Sequence, residues 1–229
     1  MSLVDTIFFW LVTYPMCVFL GTLFRIGEWC GGVEIRGKDR IPSDKKGLIV
    51  ICNHPSLWEP ILLGYLFYPN FVRHPSQLPL GTPDGNNYYK KLRWLFLRPI
   101  FLPIDRGKVG DVSSFRRMRD AIKSGRSVMV FPEGGRTFKG DSFAVAQSGK
   151  KIRQFKRGIA MIALNLGAPV LPVWVENTDK VVPQGKIVPR IWRKSIIKVG
   201  QLIETKDLDI SSEEFNSRLM AVLLALADE

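Results

Sequence analysis

Read from the amino terminus, the hydrophobic pattern opens with one uninterrupted run. Thr6 to Phe24 gives 19 consecutive uncharged residues, 14 of them Ala, Val, Ile, Leu, Met, Phe, Trp, Tyr or Cys, between Asp5 and Arg25. A bilayer core takes about 20 apolar residues as helix, so the run is close to spanning length. Phe8, Phe9, Trp10 and Phe19 spread around the helix instead of forming one stripe, which asks for apolar surroundings on every side. Pro15 sits mid-run and is expected to kink it. No basic segment precedes the run and no small-x-small site follows it, so a cleaved leader is not expected. Three arrangements fit: a membrane span, a kinked helical hairpin dipping into one leaflet, or a helix buried in the core. The expectation is a membrane-embedded anchor over residues 1–30, span or hairpin, followed by a second unit over 31–229.

Beyond Arg25 the pattern changes to short apolar segments separated by polar turns. Leu48–Cys52 and Ser127–Phe131 are continuous, β-branched runs of the kind found in strands covered on both faces. Further strands are expected at Val33–Arg36, Phe71–Arg73, Phe101–Ile104, Val170–Val175, Lys186–Pro189 and Ile196–Val199. Helices are expected at Pro60–Phe67, Tyr88–Leu97, Ser113–Lys123, Gly158–Leu166 (stopped by Gly167) and Glu213–Ala227. Strands alternating with helices predict an α/β fold: a mixed, mostly parallel sheet with some antiparallel edge, flanked by helices and preceded by the membrane-embedded helical element.

Composition narrows the partners. At 229 residues, 46% hydrophobic and 24% charged, the chain is neither disordered nor collagen-like. Thirty-three Lys+Arg against 21 Asp+Glu leave a net charge of +12, which argues for nucleic acid, a phosphorylated substrate or an acidic membrane surface. Three cysteines without CxxC spacing and only two histidines, His54 and His74, make a disulfide framework or a metal site unexpected.

In α/β sheets, sites form beyond the carboxyl ends of the strands, so the residues following each apolar run matter. Leu48–Cys52 is followed by Asn53-His54-Pro55-Ser56-Leu57-Trp58-Glu59, which puts an imidazole at a strand end and a carboxylate five residues on. Pro60 suits a first helical turn and places Glu59 at the helix boundary. There Glu59 can fold back on one ring nitrogen of His54 and leave the other free as a base. Ser56 lacks the G-x-S-x-G surroundings of a hydrolase nucleophile. Ser127–Phe131 is followed by Pro132-Glu133-Gly134-Gly135-Arg136-Thr137, whose glycines let backbone N–H groups approach an anion while Arg136 grips it. Arg106, just past Phe101–Ile104, can serve the same anion. For Glu133 two roles stay open, a contact to a substrate headgroup or a structural carboxylate pinning the turn; Lys156 is a weaker phosphate ligand. Two arginines on one rim suit a phosphate-bearing substrate better than nucleic acid, which is not expected as a partner.

Taken together these residues resemble the PlsC-type lysophospholipid (glycerolipid) acyltransferases. The family's N-H-x-S-x-x-D block corresponds to Asn53–Glu59, and its F-P-E-G-[TG]-R-S block to Phe131–Thr137. Phe101-Leu102-Pro103-Ile104-Asp105-Arg106 looks like the block between them. Phe155-Lys156-Arg157-Gly158 and Val170-Leu171-Pro172-Val173 look like two later ones. The sequence departs from the family pattern at Glu59, which replaces the usual Asp, and over His74–Asn87, which lacks the usual Lys-rich, Glu-containing stretch.

The resemblance implies a histidine–carboxylate relay acting on an acyl thioester donor, acyl-CoA or acyl carrier protein, and a lysophospholipid acceptor. It implies no metal and no prosthetic group. The leading acceptor is 1-acylglycerol-3-phosphate, with His54 and Glu59 catalytic and Arg106, Glu133, Gly134, Gly135, Arg136 and Lys156 binding it. The lipid bilayer is the expected partner and the cytoplasmic face the expected place. The cations Lys150, Lys151, Arg153, Lys156 and Arg157, then Lys186, Arg190, Arg193, Lys194 and Lys198, fit apposition to an anionic surface. Competing expectations are a different lipid acceptor, or a non-catalytic membrane-binding module of the same fold.

Overall fold

The computed structural model describes residues 3–43, 46–86, 92–104, 112–183, 188–190 and 193–229. Its centre is a six-stranded sheet in the order β1-β8-β7-β2-β4-β3: β1 Val33–Arg36, β2 Ile49–Cys52, β3 Leu80–Gly81, β4 Val128–Val130, β7 Val170–Glu176 and β8 Ser195–Val199. Every pairing is parallel except β7 with β8, so β1 and β8 form an edge running against the rest.

The alternation of the strands sorts the core into two layers. Ile49, Ile51, Val128, Val130, Val170 and Trp174 face helices Val112–Lys123, Gly158–Leu166 and Ser212–Asp228. Leu48, Val50, Cys52, Met129, Leu171, Val173 and Val175 face the opposite way, toward helices Glu59–Leu66 and Tyr68–Arg73 and the amino-terminal helix. Apolar partners on both faces are why these strands read as unbroken apolar runs.

The amino-terminal run is one helix, Leu3–Trp29, with no loop inside it. Pro15 cannot donate to the helical ladder; immediately before it the helix widens into a π turn, Phe9–Thr13, in which the Tyr14 N–H reaches back to the Phe9 carbonyl. One face packs on the domain. Thr13 donates to the Phe96 carbonyl, the Tyr68 ring occupies the place where a Cβ on Gly21 would stand, and Phe24 stacks on Tyr65 with ring centroids 5.6 Å apart. The other face is bare: Leu11 is 74% exposed and Phe19 62%. A core helix would bury most of its surface, and this one does not.

Several expected elements take another form. Phe71–Arg73 belongs to helix Tyr68–Arg73, where Pro69 suits the first turn; a three-residue apolar run carries no period that separates helix from strand. Phe101–Ile104 makes only two isolated parallel bridges, Gly81 with Phe101 and Asp84 with Ile104, because Pro103 has no N–H for a ladder. Leu92–Ile100 is a 3₁₀ helix, while residues 88–91 of the helix expected there lie outside the described residues. Of the strand expected at Lys186–Pro189, residues 186 and 187 are outside them too, and 188–189 are not extended into a ladder. A two-stranded antiparallel hairpin, β5 Phe143–Val145 with β6 Lys151–Arg153, was not anticipated.

Candidate active site

β7, β2 and β4 are adjacent and parallel, so their carboxyl ends present three loops along one edge of the sheet. β2 ends in Asn53 and His54. The Asn53 side chain continues the ladder in place of a peptide group: its Nδ2 donates to the Val175 carbonyl at 3.0 Å and its Oδ1 accepts from the Val175 N–H at 2.8 Å. His54 is thereby fixed at the strand end.

The imidazole meets its carboxylate. His54 Nδ1 lies 2.8 Å from Glu59 Oε2, and Glu59 is wholly buried at the first residue of helix Glu59–Leu66. The other carboxylate oxygen accepts from both the N–H and the hydroxyl of Ser56, at 2.9 and 2.7 Å. Ser56 Oγ in turn accepts from the Trp58 N–H at 3.0 Å. These bonds tie the turn before the helix to the Glu59 carboxylate and hold it in place at the helix start. With Nδ1 engaged, Nε2 is the ring nitrogen left for a substrate. Phe131 stacks on the ring at 4.1 Å between centroids and 19° between planes, closing one side of it.

The turn after β4 is stitched to the same histidine. The His54 N–H donates to Glu133 Oε1 at 2.7 Å, and the His54 carbonyl accepts from the Thr137 N–H at 2.8 Å. Glu133 is 1% exposed and also accepts from the Thr137 hydroxyl at 2.9 Å and from the Arg153 N–H at 2.9 Å. Burial raises its pKa above the ordinary carboxylate value, against the lowering effect of these bonds. Both oxygens accept from the protein's own N–H and O–H groups, an arrangement that suits the structural one of its two expected roles. Cys52, directly below, is fully buried, and burial followed by the charges of Glu59 and Glu133 pushes its thiol well above the usual range. It is no nucleophile.

Gly134 turns the chain at φ 68°, and the Lys156 side chain crosses it so closely that a Cβ there would stand 2.7 Å from Lys156 Cε. The Gly134 N–H is used within the turn, donating to the Phe131 carbonyl at 2.9 Å. Arg136 is half-buried, its guanidinium 4.9 Å above the Phe138 ring. The structure therefore gathers His54, Glu59, Gly134, Gly135, Arg136 and Lys156 around the ends of β2 and β4. Arg106 lies outside the described residues. Two of the basic residues expected on a surface turn inward instead: Lys198 is 2% exposed and pairs with Glu176 at 2.5 Å, and the half-buried Lys150 pairs with the same carboxylate at 2.7 Å, while Lys194 stays exposed and pairs with Glu34 at 2.6 Å.

Ser56, Phe131, Thr137 and Asn53 were not singled out as parts of the site by sequence reasoning. All four lie inside the motif blocks Asn53–Glu59 and Phe131–Thr137, and Ser56 alone meets its partner, Glu59, within its own block. The others act through strand register, which the linear sequence does not display.

Comparison with known proteins places the chain in a family. The chain is 28% identical over 164 residues to the 1-acyl-sn-glycerol-3-phosphate acyltransferase of Borreliella burgdorferi, a match covering 71% of this chain and 59% of that one. It is 28% identical over 164 residues to the protein of the same name from Pseudomonas aeruginosa, covering 66% and 56%. The chain thus matches less than two thirds of the length of these relatives. The crystal structure of the 1-acyl-sn-glycerophosphate (LPA) acyltransferase PlsC from Thermotoga maritima shares the fold, with a TM-score of 0.65 at 24% identity over 93% of this chain and 78% of that one. The sequence model of the Acyltransferase family matches residues 32–176, and by that match, over more than half its length, the chain belongs to the Acyltransferase family.

Proposed function

We propose that the chain is a membrane-associated O-acyltransferase. It moves a fatty acyl group from an acyl thioester, acyl-CoA or acyl carrier protein, to the hydroxyl of a lysophospholipid, with 1-acylglycerol-3-phosphate as the acceptor. The single observation that carries the reading is the 2.8 Å contact between His54 Nδ1 and a Glu59 that is 0% exposed. In this mechanism His54 Nε2 takes the acceptor hydroxyl proton as the oxygen attacks the thioester carbonyl. Glu59 steadies the imidazolium through Nδ1. The tetrahedral intermediate collapses, the C–S bond breaks, and the thiolate leaves with the proton returned by Nε2. Proton transfer of this kind is worth about 10²–10⁴ in rate. Thiolate is a good leaving group, so one base suffices and the mechanism asks for no metal.

The acceptor phosphate is assigned to Arg136 and Lys156 beside the Gly134-Gly135 turn, with Arg106 as a third cation. The names of the relatives favour 1-acylglycerol-3-phosphate over other lysophospholipids. Anchoring is assigned to helix Leu3–Trp29, whose window has a mean hydropathy of 1.9, with the catalytic domain on the cytoplasmic face.

The test is acyl transfer by the detergent-purified chain from labelled acyl-CoA, and separately from acyl carrier protein, to lysophosphatidic acid. Transfer that disappears in His54→Ala is the expected result. Transfer at the parental rate by His54→Ala overturns the base. Binding without turnover, in the parent chain and with either donor, makes it a lipid-binding module instead.

A further inference from the structure

The segment from Arg136 to Arg153 links the site turn to β6, and the chemistry above leaves most of it without a task. It carries five cations, Arg136, Lys139, Lys150, Lys151 and Arg153, against one carboxylate, Asp141. Within it β5 and β6 pair antiparallel, Phe143 opposite Arg153, Ala144 opposite Ile152 and Val145 opposite Lys151. Alternation gives the hairpin two faces. Ile152 is 0% exposed and joins the core with Ala146 and Phe155, so the hairpin is fixed to the domain. The opposite face carries Phe143 and Val145, 36% and 55% exposed, beside Arg153 and Lys151. At its root Phe138 is 41% exposed, next to an exposed Lys139. Lys150 is turned away to Glu176 and takes no part.

We propose that this outer face, Phe143 and Val145 with Lys151, together with the exposed Phe138 and Lys139 of the turn before it, is a second membrane contact, separate from the amino-terminal helix and seated on an anionic phospholipid interface. Apolar side chains interleaved with lysines suit such an interface: the rings and methyl groups enter between headgroups while the ammonium groups stay level with the phosphates. The inference rests on the proposed function in one respect, that an acceptor drawn from a bilayer requires the rim of the site to face that bilayer. The hairpin is tied to that rim. The Arg153 N–H at the end of β6 and the His54 N–H donate to the two oxygens of one carboxylate, Glu133, at 2.9 and 2.7 Å. Docking the hairpin therefore sets the height of the histidine above the lipid.

The test uses the full chain in a Cys30→Ser background, with Val145→Cys carrying an environment-sensitive fluorophore and Asp207→Cys as an exposed control elsewhere. Protein is added to phosphatidylglycerol-rich or to pure phosphatidylcholine vesicles. The expected result is a blue shift and shielding from aqueous iodide at position 145 on the anionic vesicles, absent at position 207 and weakened by high salt. Removing Lys139 or Lys151 as glutamine is expected to raise the KM for vesicle-presented acceptor about fivefold each, from roughly 1 kcal/mol per cation at an anionic surface. A label at 145 that stays in water on vesicles that bind the protein overturns the proposal. So does one that responds to an acidic carrier protein in detergent and not to vesicles. The fluorescence needs no turnover, so the same shift in a His54→Ala chain keeps this proposal distinct from failure of the enzymatic reading.

Discussion

The backbone N–H of His54 donates to Glu133 Oε1 at 2.7 Å, while the ring of the same histidine faces Glu59 at 2.8 Å. Two buried carboxylates from two motifs thus divide one residue between them. Glu59 meets the ring at Nδ1, and Glu133 holds the backbone that carries the ring. On the proposed mechanism the glutamate of the turn acts through the histidine and not through the substrate, and that distinction can be tested.

Replacing Glu133 by alanine separates positioning from headgroup binding. The His54 N–H, the Arg153 N–H and the Thr137 hydroxyl lose their acceptor. A buried donor left unsatisfied costs about 1–3 kcal/mol, so with three donors stranded the expected loss of stability is about 3 kcal/mol or more. With any folded fraction assayed in detergent, kcat falls and the KM for lysophosphatidic acid stays near its parental value. A rise in that KM at unchanged kcat contradicts the positioning role. Glu133→Asp, one methylene shorter, is expected to fall between the two.

The same residue predicts a pH dependence of stability. Burial raises the pKa of folded Glu133 above the ordinary value of 4.5 that the unfolded chain shows. The folded state then holds a proton more tightly than the unfolded state does. Its contribution to stability is fully present below pH 4.5 and is lost as pH rises through the folded value. Chemical unfolding of the parent and of Glu133→Gln at several pH values between 4 and 8 checks this. The stability advantage of the parent over the variant is expected to shrink as pH rises. An advantage that grows with pH means that the three hydrogen bonds outweigh burial.

What the sequence made legible follows the range of each interaction. The strands at β2, β4 and β7 were readable because burial on both faces leaves nearly unbroken apolar runs. His54 and Glu59 were readable because strand end, proline and helix start lie within eight residues of one another. The hairpin β5–β6 was not, because its outer positions Phe143 and Val145 are apolar and exposed while Lys151 and Arg153 face the same way, which blurs the polar-apolar alternation. Glu133 was readable as important but not as to role, since its partner His54 is 79 residues away. The inward turn of Lys198 likewise depends on Glu176 of the neighbouring strand.

Ser56 is the part of the site that local spacing marks, and it gives a graded test. Ser56→Ala removes the hydroxyl bond to Glu59 Oε1 at 2.7 Å and the acceptor of the Trp58 N–H, but keeps the backbone bond at 2.9 Å. Loss of a buried hydroxyl hydrogen bond of this kind costs about 0.5–1.5 kcal/mol of stability. A misplacement of Glu59 worth about 1 kcal/mol in the transition state lowers kcat about fivefold. Glu59→Ala, which removes the carboxylate itself, is expected to cost far more. Steady-state acylation of the two variants side by side checks the order, and a Ser56→Ala defect as deep as that of Glu59→Ala would give the serine a direct chemical role.

Gly134 and Gly31 have the same backbone problem and different neighbours, which isolates the contribution of Lys156. Their φ angles are 68° and 78°, so alanine at either place is strained. A left-handed alanine costs about 1–2 kcal/mol, and both variants are expected to lose about that much. At Gly31 nothing lies within 4 Å of the added Cβ, whereas at Gly134 it meets Lys156 Cε at 2.7 Å and Nζ at 3.2 Å. Lys156 is exposed and free to swing aside, so the added methyl group displaces its ammonium from the turn without a large further loss of stability. Gly31→Ala is therefore expected to keep its acceptor KM, and Gly134→Ala to raise it in the same direction as Lys156→Ala. Thermal unfolding and acceptor kinetics on the three proteins decide the matter. If Gly134→Ala and Gly31→Ala have the same KM, Lys156 has no part in holding the acceptor phosphate.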